Sequence, residues 1–119
     1  MNGNVISQLS KKFALRVVRL YCCLRDERQE FVMSKQLYRC GTSIGANIAE
    51  SVYAQSDADY VSKLSIALKE AGEALYWLEL LHESEILSDV EFESMSNDAK
   101  TIIGTLVNII NKMKAKGKQ

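Results

Sequence analysis

Proline is absent from the chain, and glycine appears only 6 times in 119 residues. Without proline every residue keeps its backbone N–H donor, and no ring forces a helix to kink or stop. Histidine and tryptophan occur once each, which excludes any metal site built from several histidines. The longest uncharged run, Thr101 to Asn111, contains Asn and is far shorter than the roughly 20 apolar residues that span a bilayer. Residues 1–12 lack a long apolar core and a small-residue cleavage pair. No secretory signal is expected, no membrane partner is expected, and the chain reads as cytoplasmic. The 3 cysteines, Cys22, Cys23 and Cys40, are odd in number and without metal-ligand spacing. Adjacent Cys22 and Cys23 point to different parts of a helix surface, so all three read as small hydrophobes rather than a redox or zinc site.

What is present is apolar residue at helical spacing, 47% of the chain being hydrophobic. One domain, residues 1–119, is expected at this length, since a chain of this size buries a useful core. Four amphipathic helices follow from the periodicity, at about 5–25, 31–53, 57–82 and 89–115. The first carries Leu9, Phe13, Val17, Leu20 and Leu24 on one face; the second starts at Phe31 or Ser34. Ser56 with Asp59 resembles a capping box, and Ser88 with Glu91 is a second such pattern. The third stripe is Tyr60, Leu64, Leu68, Ala71, Leu75, Leu78 and His82; the fourth is Phe92, Met95, Ala99, Ile102, Leu106, Ile109 and Met113. Short connections make neighbouring helices antiparallel, so the expected fold is all-α, an antiparallel up-down-up-down four-helix bundle. Gly41, Gly45 and Ala49 recur every four residues and let a neighbouring helix approach, and Gly72 and Gly104 are expected to do the same.

Apolar residues exceed what one bundle needs. Val18, Tyr21, Tyr76, Trp77, Ile103 and Ile110 lie off the main stripes, whereas about three apolar positions in seven fill a bundle core. The surplus predicts a homo-oligomer, with Tyr76 and Trp77 at its interface. Charge is segregated although it sums to zero. Residues 1–39 carry a net +5, residues 50–98 a net −10 and residues 99–119 a net +5. A separation of this size steers partners or pairs subunits.

The segment Gln36 to Glu50 is the most distinctive. Leu37, Gly41, Ile44 and Ile48 form a buried-looking stripe, and Gln36, Arg39, Ser43, Asn47 and Glu50 form a polar ladder beside it. Ser, Asn and Gly are poor mid-helix residues, so solvation alone does not account for them. One reading is a structural hydrogen-bond network, with Ser43 and Asn47 bonding across helices and Arg39 pairing with a carboxylate such as Glu73. The other is contact with a partner or nucleic acid.

Gln36-Leu37-x-Arg39 followed by Ser43-Ile44-x-x-Asn47-Ile48-Ala49-Glu50 resembles the signature of the bacterial 23S rRNA-intervening-sequence proteins. Ser51 stands where that family has Gly. The resemblance runs over roughly residues 10 to 113, including Lys63 to Leu68 in the third helix, and implies a four-helix bundle and a ring-shaped homopentamer. The chain is also similar to the accessory protein of diversity-generating retroelements, a basic pentamer that engages nucleic acid and a reverse transcriptase. That resemblance implies RNA or DNA, and a reverse transcriptase, as partners; the zero net charge of this chain is a departure.

Catalysis is not expected. His82 has no evident nucleophile to serve and reads as a packing or helix-end residue. Glu70, Glu73 and Glu79 lack the Glu-x-x-His motifs of a di-metal bundle and read as ion-pair partners. No phosphate loop, dinucleotide fingerprint or Ser/His/Asp set is present, and no cofactor or metal is expected. Two basic groups remain: Lys11, Lys12, Arg16 and Arg19 on the first helix, and Lys112, Lys114, Lys116 and Lys118 at the end of the chain. In an antiparallel bundle these are expected to converge at one pole, which suits phosphate without reading bases. The expected function is therefore a non-enzymatic homo-oligomeric adaptor contacting RNA or DNA; the alternative is a protein-binding scaffold.

Overall fold

The computed structural model describes residues 2–117, so Lys118 lies outside the described residues. Four helices make up the fold: α1 (Asn2–Asp26), α2 (Met33–Ser51), α3 (Asp57–Glu83) and α4 (Asp89–Gly117). No strand occurs among the described residues. Each helix packs on its neighbours in sequence and α1 closes against α4, with no diagonal seam. The result is an up-down-up-down bundle, 52 × 22 × 21 Å.

The core follows the apolar stripes. Phe13, Val17 and Leu24 of α1 meet Leu37, Ile44 and Ile48 of α2, Leu64, Ala71 and Leu78 of α3, and Met95, Ile102 and Leu106 of α4. Each fully buried Leu, Ile or Phe side chain stabilises the bundle by about 1.5–3 kcal/mol relative to exposure. Leu9 and Leu20 are only partly buried and pack against the edge of the core. Ile6, at the same spacing, takes the axial place. Ile110, counted as surplus on sequence, belongs to the core.

Helix α2 is shorter at both ends than the 31–53 expected. Its start is set by Glu30, whose carboxylate accepts from the backbone N–H groups of Val32 (3.0 Å), Met33 (3.0 Å) and Ser34 (2.7 Å). The Ser34 hydroxyl donates back to the Glu30 carbonyl at 2.8 Å. A carboxylate at the orphan donors of a helix start satisfies them and matches the dipole, which leaves Phe31 and Val32 outside the helix and exposed. Burial raises the pKa of Glu30, but the N–H donors outweigh it and hold the carboxyl below the ordinary carboxylate range. At the other end the helix stops at Ser51, and Tyr53 protrudes from the turn, 85% exposed.

Both capping boxes form in part or whole. Ser56 Oγ accepts from Asp59 N at 3.0 Å. Ser88 Oγ accepts from Glu91 N at 3.1 Å while Glu91 accepts from Ser88 N at 3.0 Å, the reciprocal arrangement that starts α4. The glycines divide into two kinds. A Cβ on Gly41 would meet Val17 Cγ2 at 2.9 Å, so this position carries the α1–α2 approach, and one on Gly45 would lie 3.6 Å from Ser10. Gly72 and Gly104 have nothing within 4 Å; they face outward and bring no helix of this chain closer, contrary to expectation.

Candidate interaction surfaces

The polar ladder of α2 lies along its seam with α3. Arg39 Nη1 donates to Glu70 at 3.1 Å and Nη2 donates to Glu73, while Gln36 accepts from Arg39 Nε at 3.4 Å. The Trp77 indole N–H donates to the same Glu73 carboxylate at 3.0 Å. Trp77 and Arg39 together hold the Glu73 carboxyl below its usual range. About three turns further along α2, Lys63 reaches Glu50 at 3.3 Å. An isolated exposed pair is worth at most about 1 kcal/mol, but this set shares carboxylates and ties the half-buried Trp77 to α2.

Ser43 and Asn47 do not bond across helices as expected. The Ser43 hydroxyl donates to the Arg39 carbonyl at 2.6 Å, and the Asn47 amide donates to the Ser43 carbonyl at 2.9 Å. Both side chains are short enough to fold back on the preceding turn, which removes them from reach of α3. The ladder therefore divides into a cross-helix part, Arg39 and Glu50, and a part local to α2.

The basic side chains form a strip rather than one pole. The start of α1 does lie beside the end of α4, but Arg16 is level with the first half of α4. It pairs with Asp98, and its Nη2 donates to the Ser94 hydroxyl at 2.7 Å. Lys112 lies roughly 21 Å further along α4 at the α-helical rise. Between them Lys11 and Lys12 are exposed on α1, and Arg19 is exposed one turn below Arg16. Lys112, Lys114 and Lys116 are exposed at the α4 terminus. None of these lysines, nor Arg19, makes an ion pair among the described residues, whereas Arg16, Arg25, Arg28, Arg39 and Lys63 all do.

Tyr76 is 51% exposed on the outer face of α3 and meets Trp77 edge to face at 5.2 Å. Ile66 on the same helix, Leu15 on α1 and Val107 on α4 are exposed too. His82 stacks on Phe92 at 4.3 Å, with ring planes 4° apart, and its Nε2 lies 2.7 Å from Asp89, so it links the end of α3 to the start of α4. Cys40 is buried, and burial pushes its thiol up to about 12. Cys22 is exposed and Cys23 half-buried. No group of three or more His, Cys, Asp or Glu able to hold a metal ion occurs among the described residues.

A groove on the α1–α2 seam was not singled out by periodicity. Tyr21 and Tyr38 meet at 4.9 Å with their rings tilted by 52°, and the Arg25 guanidinium carbon lies 5.4 Å from the Tyr21 ring centroid. Val18, Cys22 and Lys35 complete a cavity of about 410 Å³. The available signal was the pairing of Tyr21 with Arg25 at i,i+4 and of Lys35 with Tyr38 at i,i+3, which puts each cation beside an aromatic ring.

Four antiparallel helices with a filled apolar core and all their ion pairs at the surface define a small all-α bundle whose distinctive chemistry is on its outer faces. The chain belongs to the 23S rRNA-intervening sequence protein family, which it matches over residues 3–108. It is similar, at 52% identity and a TM-score of 0.92, to a crystal structure from Bacteroides thetaiotaomicron VPI-5482 described as a protein of unknown function from the S23 ribosomal protein family. The match covers 93% of this chain and 99% of that one. No curated protein matches. No helix among the described residues is long and apolar enough to cross a membrane.

Proposed function

We propose that this protein is a non-enzymatic, homo-oligomeric adaptor, a ring of five bundles, that contacts RNA or DNA through basic side chains repeated on every subunit. The observation that carries the reading is the group of cations left without acidic partners: Lys11, Lys12 and Arg19 on α1 and Lys112, Lys114 and Lys116 on α4. Arg16, Arg28 and Arg39 are consumed in ion pairs between elements, whereas these clustered side chains are available to phosphate. Oligomerisation is supported by the exposed Tyr76, Ile66 and Leu15 and by the open space at Gly72 and Gly104. Weak phosphate contacts on each subunit then add by avidity.

The test is a titration of labelled RNA and DNA at several salt concentrations. Affinity is expected to fall steeply with salt, since each neutralised phosphate releases condensed counterion. Replacing Lys112, Lys114 and Lys116 with Gln is expected to weaken binding to all sequences alike while the bundle stays folded. A wild-type protein that binds neither polymer at low salt overturns the nucleic-acid part. The protein-scaffold reading, favoured by the acidic block from 50 to 98, would then stand in its place.

A further inference from the structure

The seam between α1 and α2 carries two openings in line. Toward the start of α1 it is lined by small residues, among them Ser7, Ala14, Gly45 and Ala46, with Lys11 at the edge. Toward the end of α1 it becomes the Tyr21–Tyr38 groove, edged by Arg25 and Lys35. No Asp or Glu lines either opening, in a chain where the neighbouring α3 is strongly acidic. Lys11 and Arg25 are separated by roughly 21 Å at the α-helical rise. The seam thus carries one cation at its first opening and two at the aromatic corner.

We infer that the Tyr21–Tyr38 groove is a binding site for a nucleotide of single-stranded nucleic acid, with the base stacked on a tyrosine ring and the phosphate held by Lys35 and Arg25. Arg25 is pre-positioned for this. Its Nε and Nη2 donate to Asp26 at 2.7 and 3.0 Å, which leaves Nη1 for a phosphate oxygen. Lys35 makes no ion pair among the described residues and reaches the groove from the opposite helix. Tyr38 is 41% exposed and lines the groove, so part of its side chain is accessible to a ligand there. A volume of about 410 Å³ falls within the roughly 300–1,000 Å³ of small-ligand sites. Aromatic faces bordered by cations bind single strands without base preference, because every base has a π-face. A duplex hides those faces, so it is excluded from the aromatic part of the site. Aromatic grooves also hold polyproline segments, but that recognition has no use for the flanking Lys35 and Arg25.

The inference rests on the nucleic-acid reading above and adds a second, separable contact to it. The experiment measures fluorescence anisotropy of labelled oligo(U), oligo(dT) and a mixed-sequence duplex with wild type, Tyr21→Leu, Tyr38→Leu, Tyr38→Phe, Lys35→Gln and the triple lysine variant Lys112→Gln/Lys114→Gln/Lys116→Gln. Thermal unfolding of each variant serves as the folding control. Either leucine variant is expected to lose about tenfold or more in single-strand affinity, and Tyr38→Phe to retain it. Lys35→Gln is expected to reduce the salt slope by about one phosphate contact. Leucine variants that bind single strands as wild type does, while the triple lysine variant loses them, overturn the groove and leave the adaptor reading intact. Duplex binding that falls as much as single-strand binding in the tyrosine variants also overturns it. A wild type that binds no polymer overturns both.

Discussion

Glu91 serves two structures with one carboxylate. It completes the capping box with Ser88, and it accepts both Arg28 Nη1 at 3.0 Å and Nη2 at 2.7 Å. Arg28 also donates to the Ile86 carbonyl at 2.6 Å, so a single guanidinium ties the α1–α2 loop to the α3–α4 loop. These donors, Arg28 first, hold the Glu91 carboxyl down to about 2, against an ordinary 4.5. A carboxyl depressed in the folded state contributes stability above its unfolded pKa and loses it as pH falls toward the folded value. Stability is therefore expected to fall between pH 4.5 and about 2. Glu91→Gln keeps a capping-box side chain but removes the charge. It is expected to cost roughly 1 kcal/mol at neutral pH, after allowing for solvent screening of a pair about one-third exposed. That corresponds to about 4 °C in Tm. Urea titrations of both proteins across this pH range check it: the gap should close at acid pH, and a constant gap would show that the charge pair is not its source.

Among the elements, α1 and α2 approach closely at one point, Gly41 on Val17. An alanine there puts Cβ about 2.9 Å from a β-branched side chain with little rotamer freedom. The gain in helix propensity, up to about 1 kcal/mol, is smaller than the overpacking cost of about 1–3 kcal/mol. Gly41→Ala is expected to destabilise by roughly 1 kcal/mol net, and far less in a Val17→Ala background, where the clashing methyls are gone. A double-mutant cycle by chemical denaturation measures the coupling. Zero coupling would mean that the helices shift apart freely, against the close packing described. The sequence spacing of Gly41, Gly45 and Ala49 already pointed to a close helix contact on this face of α2. That α1 is the partner, and that Val17 is the touching residue, required the packed bundle.

For the whole molecule, Gly72 and Gly104 provide a probe of assembly. In the single bundle each faces open space, so alanine meets no clash and removes backbone freedom from the unfolded chain. Gly72→Ala and Gly104→Ala are expected to raise the unfolding stability of a lone bundle by about 0.5–1 kcal/mol each. In an oligomer that uses these faces for close approach, the same methyl weakens association. Light scattering at micromolar concentration is expected to report a multiple of 13.4 kDa for the wild type and a smaller mass for the alanine variants. A wild-type monomer mass would remove the oligomer and with it the reading of Tyr76 as interfacial. Unchanged mass in both variants would instead place the subunit contact on other faces.

Local chemistry in the chain was enough to determine four helices, their antiparallel order, the capping boxes at Ser56 and Ser88 and most core positions, because periodicity of 3.6 and short-range capping are properties of neighbouring residues. The pairing of Arg39 with Glu73 was legible for a similar reason: two helices joined by a short turn bring few carboxylates within reach of that guanidinium. Other features depend on which residues from distant segments meet, and pattern alone did not decide them. Arg16 on Asp98, Arg28 on Glu91 and the Tyr21–Tyr38 corner all join groups whose proximity exists only after the bundle closes. Ser43 and Asn47 went the other way, toward their own helix, because their side chains reach the preceding turn more readily than the next helix. The basic residues show the same division: their clustering along the chain was plain, but the register of α1 against α4 decided that Arg16 is spent on an acid while Lys11, Lys12 and the α4 lysines are not.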